Sequence, residues 1–149
     1  MRIRIAAGIV VIPLVGVAGL LMGAHKPESQ DALQGTWKLS AGESDGKALR
    51  EEQLKDGKLV IEDEHYTVML PGVSAITGVQ KLDPTKEPKT IDITDDSGAN
   101  KGKTCLGIYE LKGEEFHVAF ASPGATRPAK FATTPNSGHW VHVWKRVKQ

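Results

Sequence analysis

A single cysteine, Cys105, stands among the 149 residues, so no disulfide forms within the chain. Stability has to come from a packed core. Cys105 sits in Thr104-Cys105-Leu106-Gly107, an apolar strand with no neighbouring cation to activate a thiol. It reads as a small buried hydrophobe. An excess of charge is also missing, with 19 basic residues against 18 acidic ones. Setting aside the first 24 residues removes Arg2 and Arg4 and no acid, which leaves a near-neutral body without a basic stripe. That balance argues against nucleic acid as a partner. Hydrophobic content of 40% and charged content of 25% are globular values and argue against disorder. No alternation of strands with long helical patterns appears, so a parallel sheet is not expected.

What is present begins with an export signal. Arg2 and Arg4 precede an uncharged, mostly apolar run over residues 5–24. Positive charge stays inside, so the remainder is expected outside the cytoplasm, periplasmic or secreted. Ala24 suits the last position before cleavage, while Met22 is large for the position two before it. The run is also long enough to stay as a membrane anchor, although Pro13, Gly8, Gly16 and Gly19 weaken such a helix. No cysteine follows it, so there is no lipid-attachment site. The chain divides into a signal or anchor (1–24), a polar tether (25–32) and one domain (33–149).

Within that domain the pattern is one of short strands. The first covers 36–40, followed by a loop over 41–47 and one or two helical turns over 49–54, placed to lid one mouth of a barrel. Period-two alternation then sets in. A two-residue turn at Asp63-Glu64 would place Ile61 opposite Tyr66 and Leu59 opposite Val68 on one face. Strands follow over 75–82 and 90–94, separated by a loop that Pro84 and Pro88 stiffen. Residues 103–111 and 115–121 form the clearest hairpin. Cys105, Tyr109 and Leu111 share its apolar face with Phe116, Val118 and Phe120; Glu110, Glu115 and His117 take the other. One more short strand is expected over 130–132 and a last one over 139–146. About eight strands with little helix favour an all-β, antiparallel up-and-down barrel with one short helix after the first strand.

Motifs for chemistry are weak. Gly42-Glu43-Ser44-Asp45-Gly46 matches a nucleophile-elbow pattern, but the body is too short for the fold that pattern needs. His139 and His142 are three apart on a strand and face opposite ways, so they cannot clamp one metal. His65 and His117 fall on the outward face. Asp92, Asp95 and Asp96 lack the ligand alternation of a calcium loop and read as solvated turn residues. No catalytic residue, metal or cofactor is assigned, and no enzyme is expected. Trp140, His142, Trp144 and Arg146 share one face of the last strand and Val141, Val143 and Lys145 the other; either could point inward.

Leu33-Gln34-Gly35-Thr36-Trp37-Lys38-Leu39 resembles the Gly-x-Trp start of lipocalins. More closely, residues 33–146 resemble the lipocalin-like domain family found repeatedly in planctomycete proteins. The matching stretches include Asp45-Gly46-Lys47, Leu59-Val60-Ile61-Glu62, Leu82-Asp83-Pro84-Thr85-Lys86 and Pro88-Lys89-Thr90-Ile91-Asp92-Ile93. Others are Asn100-Lys101-Gly102-Lys103-Thr104, Leu106-Gly107-Ile108-Tyr109-Glu110-Leu111, Arg127-Pro128 and Trp144-Lys145-Arg146. The resemblance implies a small calycin-like barrel closed through Gly35 and Trp37, with Arg146 or Lys145 as the cation on the Trp ring. It also implies small apolar ligands in the interior. The body departs from lipocalins in being shorter and in lacking their disulfide.

Two functions follow. The first is an exported, non-enzymatic carrier of a small hydrophobic molecule or lipid, its cavity lined by some of Leu59, Ile61, Tyr66, Val68, Tyr109, Phe116, Val118 and Phe120. Tyr hydroxyls would orient the ligand. The second is a barrel filled by its own side chains, acting through Trp140, Trp144 or the Pro84 loop on a cell-envelope protein or polysaccharide. Membrane contact is expected only through the first segment, if it is retained.

Overall fold

The computed structural model describes residues 30–149. The expected leader, and the expected tether as far as residue 29, lie outside the described residues. The tether's last residues instead begin a short helix, α1 (Gln30–Leu33).

The chain then alternates tightly: β1 (Gly35–Ser44), β2 (Lys47–Ala48), α2 (Glu51–Leu54), β3 (Lys58–Glu62), β4 (His65–Met69), β5 (Ile76–Asp83), β6 (Thr90–Asp95), β7 (Thr104–Lys112), β8 (Glu115–Ala121) and β9 (His139–Arg146). Neighbours pair antiparallel in the order β1-β3-β4-β5-β6-β7-β8-β9, and β9 pairs back onto β1 from Trp37↔Arg146 to Ser44↔Trp140. Eight strands therefore form a closed barrel with no unpaired edge between first and last. β2 lies outside the ring, paired to the far end of β1.

The hairpins follow the side-chain alternation. Ile61 faces Tyr66 and Leu59 faces Val68 across β3 and β4. Lys112 pairs with Glu115, so the β7–β8 turn is Gly113-Glu114, and Leu111 meets Phe116 while Tyr109 meets Val118. In each case the apolar partners bury on the inner face, because only that face is shielded from water. His117 stays outside, its ring nitrogen 2.9 Å from Glu115.

Three expectations are corrected. The first strand does not stop at residue 40. It continues to Ser44 after an irregularity between Leu39 and Ala41, because β9 offers main-chain partners as far as Trp140. Residues 41–44 lack apolar alternation and so resemble a loop, yet ladder hydrogen bonds do not depend on side-chain polarity. The turn that follows is Asp45-Gly46, both at positive φ (48° and 78°), which lets Ser44 pair with Lys47 in a two-residue hairpin. Finally, residues 130–132 form no strand. The 122–138 segment instead runs over the outside of the barrel, and Phe131 packs on the outward residues Ile108, Ala119 and Val141. Covering those three from water is the apolar gain that a free-standing strand would not provide.

Polar contacts fasten this strap at several places. Arg127 Nη1 donates to Asp92 Oδ1 at 2.6 Å and to the Gly107 carbonyl at 2.7 Å. Glu43 Oε1 accepts from the Thr133 backbone (2.8 Å) and hydroxyl (2.5 Å), which holds its carboxyl below the usual range. Among the described residues no helix is long and apolar enough to cross a membrane.

Candidate functional site: the barrel cavity

The two ends of the barrel differ. At one end Trp37, wholly buried, packs with Leu33, Ile61, Tyr109 and Phe116. Its ring lies 5.6 Å from that of Phe116, and its Nε1 donates to the Leu33 carbonyl at 2.9 Å. The Arg146 guanidinium sits 4.1 Å above the Trp37 ring. Its Nη1 and Nη2 donate to the carbonyls of Gln34 (2.9 Å) and Ala32 (2.6 Å), and Nε approaches Glu114 at 3.5 Å. A planar guanidinium can stack and fork at once, which the ammonium of Lys145 cannot do. Lys145 points outward, 3.9 Å from Glu115. Of the two candidate cations, Arg146 is therefore the one on the ring. Gly35, at φ 111°, begins β1 beside it.

The other end is open. Inside it lies a cavity of about 550 Å³, whose mouth is framed by α2, the β4–β5 loop with exposed Val73, and Asn100 of the β6–β7 loop. The expected helix after the first strand does stand at a barrel mouth, with Leu49, Glu52 and Gln53 on the cavity wall. The interior is thus not filled by its own side chains.

Six of the eight anticipated lining residues reach this space: Leu59, Tyr66, Val68, Phe116, Val118 and Phe120. Ile61 and Tyr109 do not, and this is a correction. Both face inward and are buried, but they belong to the closed-end packing around Trp37. Tyr109 stacks edge-on to Phe116 at 6.3 Å, and its hydroxyl is buried without a partner. Alternation along a strand reports which face a residue takes, not its height along the barrel axis.

The cavity also holds residues that no sequence motif marks. Trp140, His142 and Trp144 take the inner face of β9, so the tryptophans are wall residues and not a surface patch. His142 stands edge-on to Trp144 at 5.5 Å, and burial pushes its pKa down to about 4, leaving a neutral imidazole at ordinary pH. Asp95 is not a solvated turn residue: it is 8% exposed, and the Tyr66 hydroxyl donates to its Oδ1. Burial, then that hydrogen bond, push the Tyr66 phenol upward, so it remains the donor. Burial first and Asp95 second raise the thiol of Cys105, which lies on the same wall. Gln80, 6% exposed, lines the cavity as well, and its Nε2 has no hydrogen-bond partner. A signal for Asp95 was available in Ile91-x-Ile93-x-Asp95, a carboxylate in phase with two inward isoleucines.

Gly78 makes the Tyr66–Asp95 contact possible. It lies between them on β5, paired to Tyr66 on one side and Asp95 on the other, and a Cβ there would collide with both the Tyr66 phenol and the Thr94 carbonyl. Gly78→Ala is expected to expel the ring and to cost about 1–3 kcal/mol by overpacking, read from urea unfolding. A loss below about 0.5 kcal/mol would mean that the phenol is not held across Gly78.

Catalytic geometry is not assembled around Ser44. It lies on the cavity rim in an antiparallel strand that turns into β2, not at a strand-to-helix elbow. Among the described residues no three His, Cys, Asp or Glu side chains are grouped to hold a metal. His65 is exposed, and His139 reaches the Thr126 carbonyl at 3.1 Å. His25 lies outside the described residues. No family model matches this chain, and no curated protein sequence does.

Proposed function

We propose that the chain is an exported, non-enzymatic lipocalin-like protein that carries a small hydrophobic molecule in its barrel, and that it belongs to the planctomycete lipocalin-like family its segments resemble. The cavity is the observation that supports this reading. Its volume of about 550 Å³ falls within the range of small-molecule pockets, and Leu59, Val68, Ile91, Ile93, Val118 and Phe120 make its walls mainly apolar. Among the described residues, closure at the Trp37 end leaves the α2 end as the way in. Apolar contact would provide the affinity, and the few polar wall groups would set orientation.

The test is uptake by the full chain, produced in an exporting host and purified without detergent. Native mass spectrometry is expected to show a mass above that of the polypeptide that is lost on denaturation, or the empty protein is expected to take up the neutral fluorophore N-phenylnaphthylamine. Val118→Trp, which takes up part of the space, is expected to weaken uptake while circular dichroism still reports the barrel. An empty wild-type barrel that refuses the fluorophore and a panel of hydrophobic probes overturns the carrier.

A further inference from the structure

Polar groups line the cavity on opposite sides, while Ser44, Gln53 and Asn100 belong to its rim. Around the ring β5 stands four strands from β9, and β6 stands three. One wall presents Gln80 and Asp95; the other presents His142. Asp95 has spent one oxygen on the Tyr66 hydroxyl and offers its remaining acceptor capacity inward. Gln80 adds a buried N–H without an acceptor. A second carboxylate, Glu52, stands at the mouth. Among the described residues the lining contains no Lys and no Arg, and the facing imidazole adds no positive charge at neutral pH.

A fatty-acid anion entering this space would give up water for a wall that already carries buried negative charge, with no cation to receive it. A protonated amine would instead pair with Asp95 in a charge-assisted hydrogen bond. The unpartnered nitrogen of Gln80, two residues along β5 from the position paired with Asp95, would find its acceptor in a hydroxyl or carbonyl next to that amine.

The geometry points to a cavity that selects apolar molecules with a cationic amine head bearing an adjacent acceptor, and that discriminates against carboxylates. This rests on the carrier reading above and narrows it to a ligand class.

The experiment is displacement of N-phenylnaphthylamine from the full chain at pH 7.5 by three competitors with twelve-carbon chains, kept below their micellar concentrations: dodecylamine, 2-aminododecan-1-ol and dodecanoate. Dodecylamine is expected to displace about tenfold or more better than dodecanoate, the scale of one charged hydrogen bond. Asp95→Asn, close to isosteric, is expected to close that gap, read as the ratio of the two competitors' displacement constants in the variant. The amino alcohol is expected to exceed dodecylamine, and Gln80→Leu to remove the excess. Equal or better displacement by dodecanoate overturns the inference while leaving the carrier intact, and it does so in the wild type without any variant. A preference for amines that survives in Asp95→Asn overturns the assignment to Asp95. A wild-type chain that takes up no fluorophore removes the carrier and this inference together.

Discussion

Trp37→Ala is expected to cost the barrel a large share of its stability. The ring is wholly buried and meets Phe116 at 5.6 Å; its removal leaves a void at the closed end that Leu33, Ile61 and Tyr109 cannot fill without backbone movement. Truncation of a buried Trp costs about 3–5 kcal/mol. Two further contacts go with it: the hydrogen bond to the Leu33 carbonyl, and the Arg146 guanidinium 4.1 Å over the ring, a contact worth about 0.5–2 kcal/mol. Against a native stability of about 5–15 kcal/mol for a domain of this size, the change would leave a marginally folded protein. Urea and thermal unfolding, with Trp140 and Trp144 as fluorescent reporters, measure it. Arg146→Met separates the contributions, since it keeps the ring but gives up the forked bonds to Gln34 and Ala32. A cost below about 1.5 kcal/mol for Trp37→Ala would show that the plug does not hold the barrel end.

The second large effect is a dependence on pH, and it belongs to His142. Burial lowers its native pKa to about 4, while in the unfolded chain it titrates near 6.5. Between those values the unfolded chain binds a proton that the native barrel refuses. Stability is therefore complete above about pH 6.5 and is lost as pH falls toward 4, by about 3 kcal/mol in all. His142→Phe keeps a ring in the wall and removes the titration, so its stability is expected to change far less between pH 7.5 and 4.5. Glu43, Asp83 and Glu115, whose carboxyls are held below the usual range, also lose stability in acid. They are common to both proteins and cancel in the comparison. Parallel loss in wild type and variant over that window would mean that the imidazole is not buried as a neutral group.

The barrel, its closure and the phases of two hairpins were legible in the residues alone. Alternation at Leu59, Ile61, Tyr66 and Val68, and again at Tyr109, Leu111, Phe116 and Val118, dictates which face is inner. A strand has two faces, and burial of one is strongly favoured. The Gly-x-Trp start and a terminal cation named the residues of the closed end, though not which of Lys145 and Arg146 would stack. The rest follows from how the strands assemble. Height along the axis depends on the tilt and stagger of eight strands, and this is why Ile61 and Tyr109 pack against the plug while Phe116 and Val118 also reach the cavity. The same stagger sets Tyr66, Gly78 and Asp95 in line across three strands, residues up to 29 positions apart in the chain. The inner face of β9 was undecided because both its faces are partly apolar; the 122–138 strap, folding Phe131 over Val141, settles it by giving the outer face a cover of its own. A local pattern records facing, but the void between walls, and the charges that meet across it, exist only once the ring is closed.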